Sequence, residues 1–188
     1  YGDSNKFPLS EKQTIKPINF YGLTKKNNEE TAEIFSKYYG LQLIGLRFFT
    51  VYGEWGRPDM VIFKLLESIF KKKIFKLNNR GDHFRDFTYI EDVTNSIIKL
   101  MRAKIKEKHL VINVCSNKPV KLTYLIKHIQ KKKLNLKYKK ISFQKADIYK
   151  THGDNSVLIS MIGKVSFTSL KVGLNRCLEW YKNYYKKI

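Results

Sequence analysis

Leu23, Ile34, Phe35 and Tyr38 lie at mostly helical spacing between Asn19, suited to cap a helix start, and Gly40, suited to end one. Residues 41–49 (LQLIGLRFF) follow as an apolar run too short for a buried helix pair. They predict a parallel-type strand covered on both faces. Helix followed by buried strand points to an α/β sheet. Ile62, Leu65, Leu66 and Ile69 give a second helical pattern over 61–70, and further helices are predicted over about 91–101, 122–130 and 170–185. Short strand patterns fall at 74–77, 110–114 and 138–143. Residues 1–18 have little periodicity and read as loop, and 78–82 is a turn cluster. The segment 50–60 (TVYGEWGRPDM) is punctuated by glycine and proline, and reads as a loop at the carboxyl end of a strand, where open α/β sheets bind ligands.

Composition supports a packed core, since 188 residues are 43% hydrophobic and 14% aromatic. The 37 Lys+Arg against 16 Asp+Glu, formally +21, raise the question of a polyanionic partner. The lysines are spread along the chain, most visibly at 71–73, 131–133 and 186–187, in positions that read as helix ends and solvated faces. They far outnumber arginine, whose fork suits phosphates and base edges. A solvated lysine-rich surface is therefore expected, with a non-catalytic basic fragment that binds nucleic acid as the alternative of a different class. Cys115 and Cys177 are far apart, and the four histidines form no ligand cluster, so no metal is expected. No apolar run approaches the roughly 20 residues of a membrane helix. A cytoplasmic protein without a membrane or nucleic-acid partner is the expectation.

Tyr21 and Lys25 are four residues apart in the first helical pattern, so both side chains can project from one face. A phenol ionises near pH 10, and it serves as a base near neutrality only where a nearby cation favours the phenolate. The pair has a possible use in proton transfer, but such spacing is common by chance. Arg57, before Pro58, could pair with Asp59 or Glu54 instead of a ligand, and Arg85 could pair with its neighbour Asp86.

Longer motifs decide more. YGLTK at 21–25, GLRFFTVYG at 45–53, GRPDM at 56–60 and RDFTYIED at 85–92, in that order and spacing, resemble the extended short-chain dehydrogenase/reductase family, and within it the UDP-glucuronate 4-epimerases. The resemblance continues through Asn113, QKADIYKTHGD at 144–154 and the region 173–185 with Glu179-Trp180-Tyr181, and so covers essentially the whole chain. It implies the carboxyl-terminal part of a Rossmann-like doubly wound parallel sheet plus a small α/β substrate domain. Residues 1–53 would end the NAD-binding domain, and 54–188 would mainly form the sugar-nucleotide domain, with about 86–115 returning to the Rossmann-like sheet. The family's glycine-rich phosphate loop has no counterpart in this sequence, and its catalytic serine or threonine would precede Tyr1-Gly2. The chain alone is thus expected to be inactive, with the 41–49 strand and the apolar face of the Tyr21 helix partly uncovered.

The family's mechanism implies that Tyr21 takes the proton of the sugar 4-hydroxyl while C4 gives hydride to tightly bound NAD, and that the 4-keto sugar turns over before hydride returns. Lys25 would hold the cofactor ribose, and Phe48 would lie near the nicotinamide. Thr50 would face the sugar, Arg57 and Arg85 the nucleotide-sugar phosphates, and Gln144 and Asp147 the uridine end. Ala146 replaces the family's usual glycine, Glu54 its usual proline and Lys73 its usual glycine. The implied activity is conversion of UDP-glucuronate to UDP-galacturonate for polysaccharide biosynthesis, in a homodimer whose apolar helix face carries Ile34, Phe35, Tyr38 and Tyr39. A related NAD-dependent UDP-sugar decarboxylase, dehydratase or UDP-galactose-type 4-epimerase remains the alternative within enzymes.

Overall fold

The computed structural model describes residues 1–142 and 148–186. Helix α1 (Phe20–Tyr39) starts where Asn19 Oδ1 accepts the Gly22 N–H at 2.8 Å, and it ends where Gly40 turns left-handed at φ 68°. Strands β1 (Leu43–Phe48) and β2 (Thr50–Tyr52) follow, then α2 (Val61–Phe70) and β3 (Phe75–Leu77). A 3-10 turn at Asn78–Gly81 leads to β4 (Phe84–Tyr89), α3 (Ile90–Arg102), β5 (His109–Val114) and β6 (Pro119–Lys121). The chain closes with α4 (Thr123–Lys131), β7 (Tyr138–Lys140), α5 (Ser156–Ile162) and α6 (Leu170–Tyr185).

The strands form three small sheets. β1 runs parallel to β5 with Leu43 opposite His109 and Phe48 opposite Val114. β4 lies between a parallel β2 and an antiparallel β6, and β3 pairs in parallel with β7. Parallel neighbours separated by helices are what the alternating patterns require. Leu65, Leu125, Ile129, Leu174 and Tyr181 fill one core, where α2, α4 and α6 meet the β4 sheet. Val93, Ile112, Val114 and Leu158 fill another, between β5 and helices α3 and α5. Among the described residues no helix is long and apolar enough to cross a membrane.

Four elements escape the hydrophobic pattern. In β4 the buried positions include Asp86 and Thr88, so the strand does not alternate apolar with polar. β2 and β6 have three residues each and α5 only seven, too few for a period to register. β1 is parallel as expected but is half-buried along most of its length rather than covered on both faces. Its only strand partner among the described residues is β5, and α1 shows water a row of apolar side chains, with Ile34, Phe35, Tyr38 and Tyr39 all exposed.

Gly173 sits inside α6, where alanine ordinarily adds about 1 kcal/mol of helix stability. Here a Cβ would fall 2.7 Å from Cζ and 2.8 Å from Cε2 of the Tyr52 ring, which is itself held edge-on against Phe87 and Tyr89. Gly173→Ala should therefore reverse the usual sign and destabilise by about 1–3 kcal/mol, the range for overpacking a tight core. Urea unfolding of the two proteins measures it, and an unchanged or raised midpoint would contradict the packing described.

Candidate functional site

The amino-terminal half of α1, the carboxyl end of β1, Tyr1 and residues 148–151 enclose a cleft of about 660 Å³. Parallel strands end their loops on one side, which is why segments distant in sequence converge there. Tyr21, Lys25, Phe48 and Thr50 all line it. Lys25 Nζ lies 5.3 Å from the centroid of the Tyr21 ring, within reach of cation–π attraction, and the Tyr21 side chain is 66% exposed. Phe48 is the last residue of β1 and Phe49 falls between β1 and β2, so the strand alternation breaks and both rings reach the cleft wall.

The setting of α1 follows from Glu29. It stands four residues beyond Lys25 and eight beyond Tyr21, on the same helix face. Its two carboxylate oxygens accept from Arg47 Nε at 2.8 Å and Nη2 at 2.7 Å, in the two-pronged geometry that an arginine fork favours. Arg47 belongs to β1 and is opposite Asn113 of β5, whose amide Oδ1 accepts from the Tyr1 hydroxyl at 2.6 Å. Glu11 takes the Asn113 backbone N–H, and the Asn113 amide donates to the carbonyls of Leu9 and Asp154. This polar seam ties α1, the sheet and the amino-terminal segment into one floor beneath the cleft.

The opposite wall hangs on Asp86. Its fully buried carboxylate accepts from the Ser116 hydroxyl at 2.7 Å, the Ser116 N–H at 3.2 Å and the Gly153 N–H at 3.1 Å. Burial pushes the Asp86 carboxyl up, and the hydrogen bonds from Ser116 and Gly153 oppose that shift. The carboxylate thus faces inward, while the neighbouring Arg85 donates through Nη1 to the Phe84 carbonyl at 2.9 Å and the Tyr149 carbonyl at 3.3 Å. Gly153 has no room for a side chain, since a Cβ there would fall 2.5 Å from both Cys115 Sγ and the Phe49 ring.

Arg57 stands on the neighbouring loop, exposed, with its guanidinium on Asp59 at 3.0 and 2.6 Å. A small recess of about 30 Å³ brings it together with Thr50, Tyr52 and Phe87. The loop is held at two points that sequence reasoning missed. Tyr89 donates its hydroxyl to the Glu54 carboxylate, 2.8 and 2.7 Å from its two oxygens. Burial first, and Glu54 second, push the Tyr89 phenol up to about 12, so it remains a donor at neutral pH. Trp55, left-handed at φ 59°, lies edge-on to Trp180 at 5.2 Å and Tyr184 at 5.6 Å. Glu54 is the residue that departs from the expected proline, and no local pattern points to its partner 35 positions away. Lys150 and Thr151 also border the cleft and were legible only as part of the 144–154 motif. Gln144 and Asp147 lie outside the described residues.

The model of the NAD dependent epimerase/dehydratase family matches residues 1–115. An uncharacterised protein of Methanocaldococcus jannaschii is 40% identical over 184 residues, which span 96% of this chain and 56% of that protein. UDP-glucuronate 4-epimerase 4 of Arabidopsis thaliana is 36% identical over 203 residues, covering 98% of this chain and 46% of the relative. The crystal structure of UDP-glucuronic acid 4-epimerase from Bacillus cereus, in complex with UDP-glucuronic acid and NAD, superposes with a TM-score of 0.90 at 25% identity, over 98% of this chain and 59% of that one. The chain thus spans about half the length of the curated relatives it matches.

Glu29→Ala should cost about 2 kcal/mol of stability, because it leaves the Arg47 guanidinium half-buried without its carboxylate. Glu29→Gln keeps one acceptor and should lose less. Denaturant midpoints of the three proteins test the order; equal midpoints would show that the pair does not hold α1 to the sheet.

Proposed function

The chain belongs to the NAD dependent epimerase/dehydratase family, and on that premise we propose that the natural full-length protein inverts a UDP-sugar at C4, with UDP-glucuronate and UDP-galacturonate as the pair interconverted. The observation that carries this reading is the placement of Tyr21 and Lys25, one turn apart on α1, at a cleft whose far wall is Phe48 and Thr50. The plant relative named for UDP-glucuronate supports the choice of sugar.

NAD is the cofactor of the family, and when bound it supplies reversible oxidation at the sugar carbon. The residues present suit one end of it: a phenol and an ammonium can hydrogen-bond ribose hydroxyls, and the half-exposed Phe48 ring offers a flat apolar surface to a nicotinamide. The ten glycines include no G-x-x-G-x-x-G run, so no residue of this chain is assigned to the pyrophosphate. Tyr21 accepts the proton of the 4-hydroxyl and later returns one. Lys25, whose ammonium lies 5.3 Å from the centroid of the Tyr21 ring, favours the phenolate form that can take that proton. Thr50 orients the sugar from the start of β2, and Arg57 and Arg85 bind the diphosphate, Arg57 by exchanging Asp59 for a phosphate oxygen. Gln144 and Asp147 complete the uridine end of the same reading. Residues 1–53 then belong to the cofactor side and 54–188 mainly to the sugar-nucleotide side, with 86–115 returning to the cofactor sheet.

The apolar row on α1 suits a cytoplasmic homodimer in which this helix packs on its symmetry mate, since Tyr38 and Tyr39 are 74% and 70% exposed. Light scattering that finds only monomer at micromolar concentration would count against that assembly.

Two substitutions in the full-length protein separate chemistry from binding. Tyr21→Phe should lower kcat by about 10²-fold or more while changing the dissociation constant of the UDP-sugar little, because it removes the proton acceptor and almost no contact area. Arg85→Leu should instead weaken binding of UDP itself, by about 1.5–3 kcal/mol. Near-normal turnover in Tyr21→Phe would remove the catalytic assignment, and unchanged UDP affinity in Arg85→Leu would make that arginine structural.

A further inference from the structure

Cations in this protein are not evenly mixed with anions. Residues 68–81 hold five basic and no acidic side chains, and residues 122–142 hold seven and none, although the chain as a whole has 16 acidic residues to 37 basic. In sequence these are two separate lysine-rich segments. The fold joins them, because β3 lies within the first and β7 within the second, and the two strands pair in parallel.

The register shows how closely. The Phe75 N–H donates to the Lys137 carbonyl at 2.9 Å, Phe75 is opposite Tyr138, and Lys76 is opposite Lys139. Residues opposite in a pair share a face, as do residues two apart in a strand, so Ile74, Lys76, Lys137 and Lys139 lie together on one side of the ribbon. That side faces water: Lys76, Lys137 and Lys139 are exposed and Ile74 is 61% exposed, whereas Phe75 and Leu77 on the other side are buried. Both strands also begin at the same end. The lysine runs that close α2 (Lys71, Lys72, Lys73) and α4 (Lys131, Lys132, Lys133) lead into the two strands from that end. At the margins of the two segments Glu67 pairs with Lys71 and Lys73, and Asp82 with Lys121. Placing Lys76 opposite Lys139 works against the strand pairing, since like charges repel across a ladder.

We propose that the solvent face of the β3–β7 ribbon, with the lysine turns at its end, docks this protein on an anionic lipid surface. Charge complementarity fits any polyanion, but the side chains favour a bilayer. The cations on this face are lysines, whose long apolar stems lie along an interface while the ammonium groups reach headgroup phosphates. Ile74 stands among them, 61% exposed, as the aliphatic anchor of an interfacial contact. A nucleic-acid groove would call instead for arginine forks and stacking platforms, and no use for Ile74. Hydropathy along the chain registers membrane-spanning segments and is blind to such a face.

The test needs no catalytic activity and so stands apart from the assignment of Tyr21. The purified full-length protein is sedimented with phosphatidylcholine vesicles, with and without phosphatidylserine as one third of the lipid, at low and high salt. Binding should require phosphatidylserine and fall as salt rises. Reversing three exposed charges (Lys72→Glu, Lys132→Glu, Lys137→Glu) should weaken it by about 10²-fold. Ile74→Ser should weaken vesicle binding about threefold without changing affinity for a random DNA duplex, which separates insertion from charge alone. Ile74→Trp provides a second readout in an otherwise native protein, with its emission moving to the blue on anionic vesicles. Vesicle binding unaffected by the charge reversal, an unshifted Ile74→Trp spectrum, or tighter binding to the duplex than to vesicles of matched charge would each overturn the proposal, the last in favour of a nucleic acid.

Discussion

A helix lying on a sheet is free to rotate about its axis until some contact fixes which residues face inward, and in this protein that contact is Glu29 on Arg47. Arg47 is anchored in β1, and its guanidinium also lies over the Tyr1 ring, 4.7 Å from the centroid. With 14% and 23% of their side-chain surfaces exposed, the two partners are shielded enough for geometry to matter and hydrated enough to avoid the full penalty of a buried pair. Tyr21 and Lys25 share the helix face of Glu29, so the ion pair turns them toward the cleft as well. The candidate chemistry therefore depends on a pair further along the wall of the same cleft.

The second constraint is that polar groups at strand ends must find partners once they are buried. Asp86 answers it for three donors and Asn113 for a hydroxyl and two carbonyls, while Glu11 accepts the Asn113 backbone N–H. Together they fasten residues 151–154 and the amino-terminal segment across the middle of β4 and the carboxyl end of β5. Apolar residues at these two positions would pack well enough but would leave the loops without a defined seat. The Glu54–Tyr89 bond and the Trp55–Trp180 contact act similarly on the loop that carries Arg57, and they tie that loop to α6.

Two surfaces of contrasting chemistry result. α1 presents apolar rings that water covers poorly, which favours burial against another protein surface. The β3–β7 ribbon presents lysines whose charge is hard to bury but easy to match at long range, a face suited to peripheral and salt-sensitive contact.

Most helices, and the caps of α1, were legible from local chemistry: Asn19 and Gly40 bound α1, and the periods of Ile62, Leu65, Leu66 and Ile69, and of residues 170–185, locate α2 and α6. The Tyr21–Lys25 spacing needed only the geometry of a helix, and the long motifs named the family because many residues in fixed order are hard to match by chance. What sequence could not supply were relations between distant positions. β4 was hidden because Asp86 and Thr88 are polar yet buried, and their burial is worthwhile only once Ser116, Gly153 and the rest of the seam are beside them. Glu54 stands where the family usually has proline, and only the fold brings Tyr89 against it. The lysines at 76 and at 137 and 139 lie about 60 positions apart, and only the register of β3 on β7 puts them on one face. Helical periods are set by neighbours along the chain; strand pairing, buried polar bonds and charge clustering are set by residues that only the tertiary fold brings together.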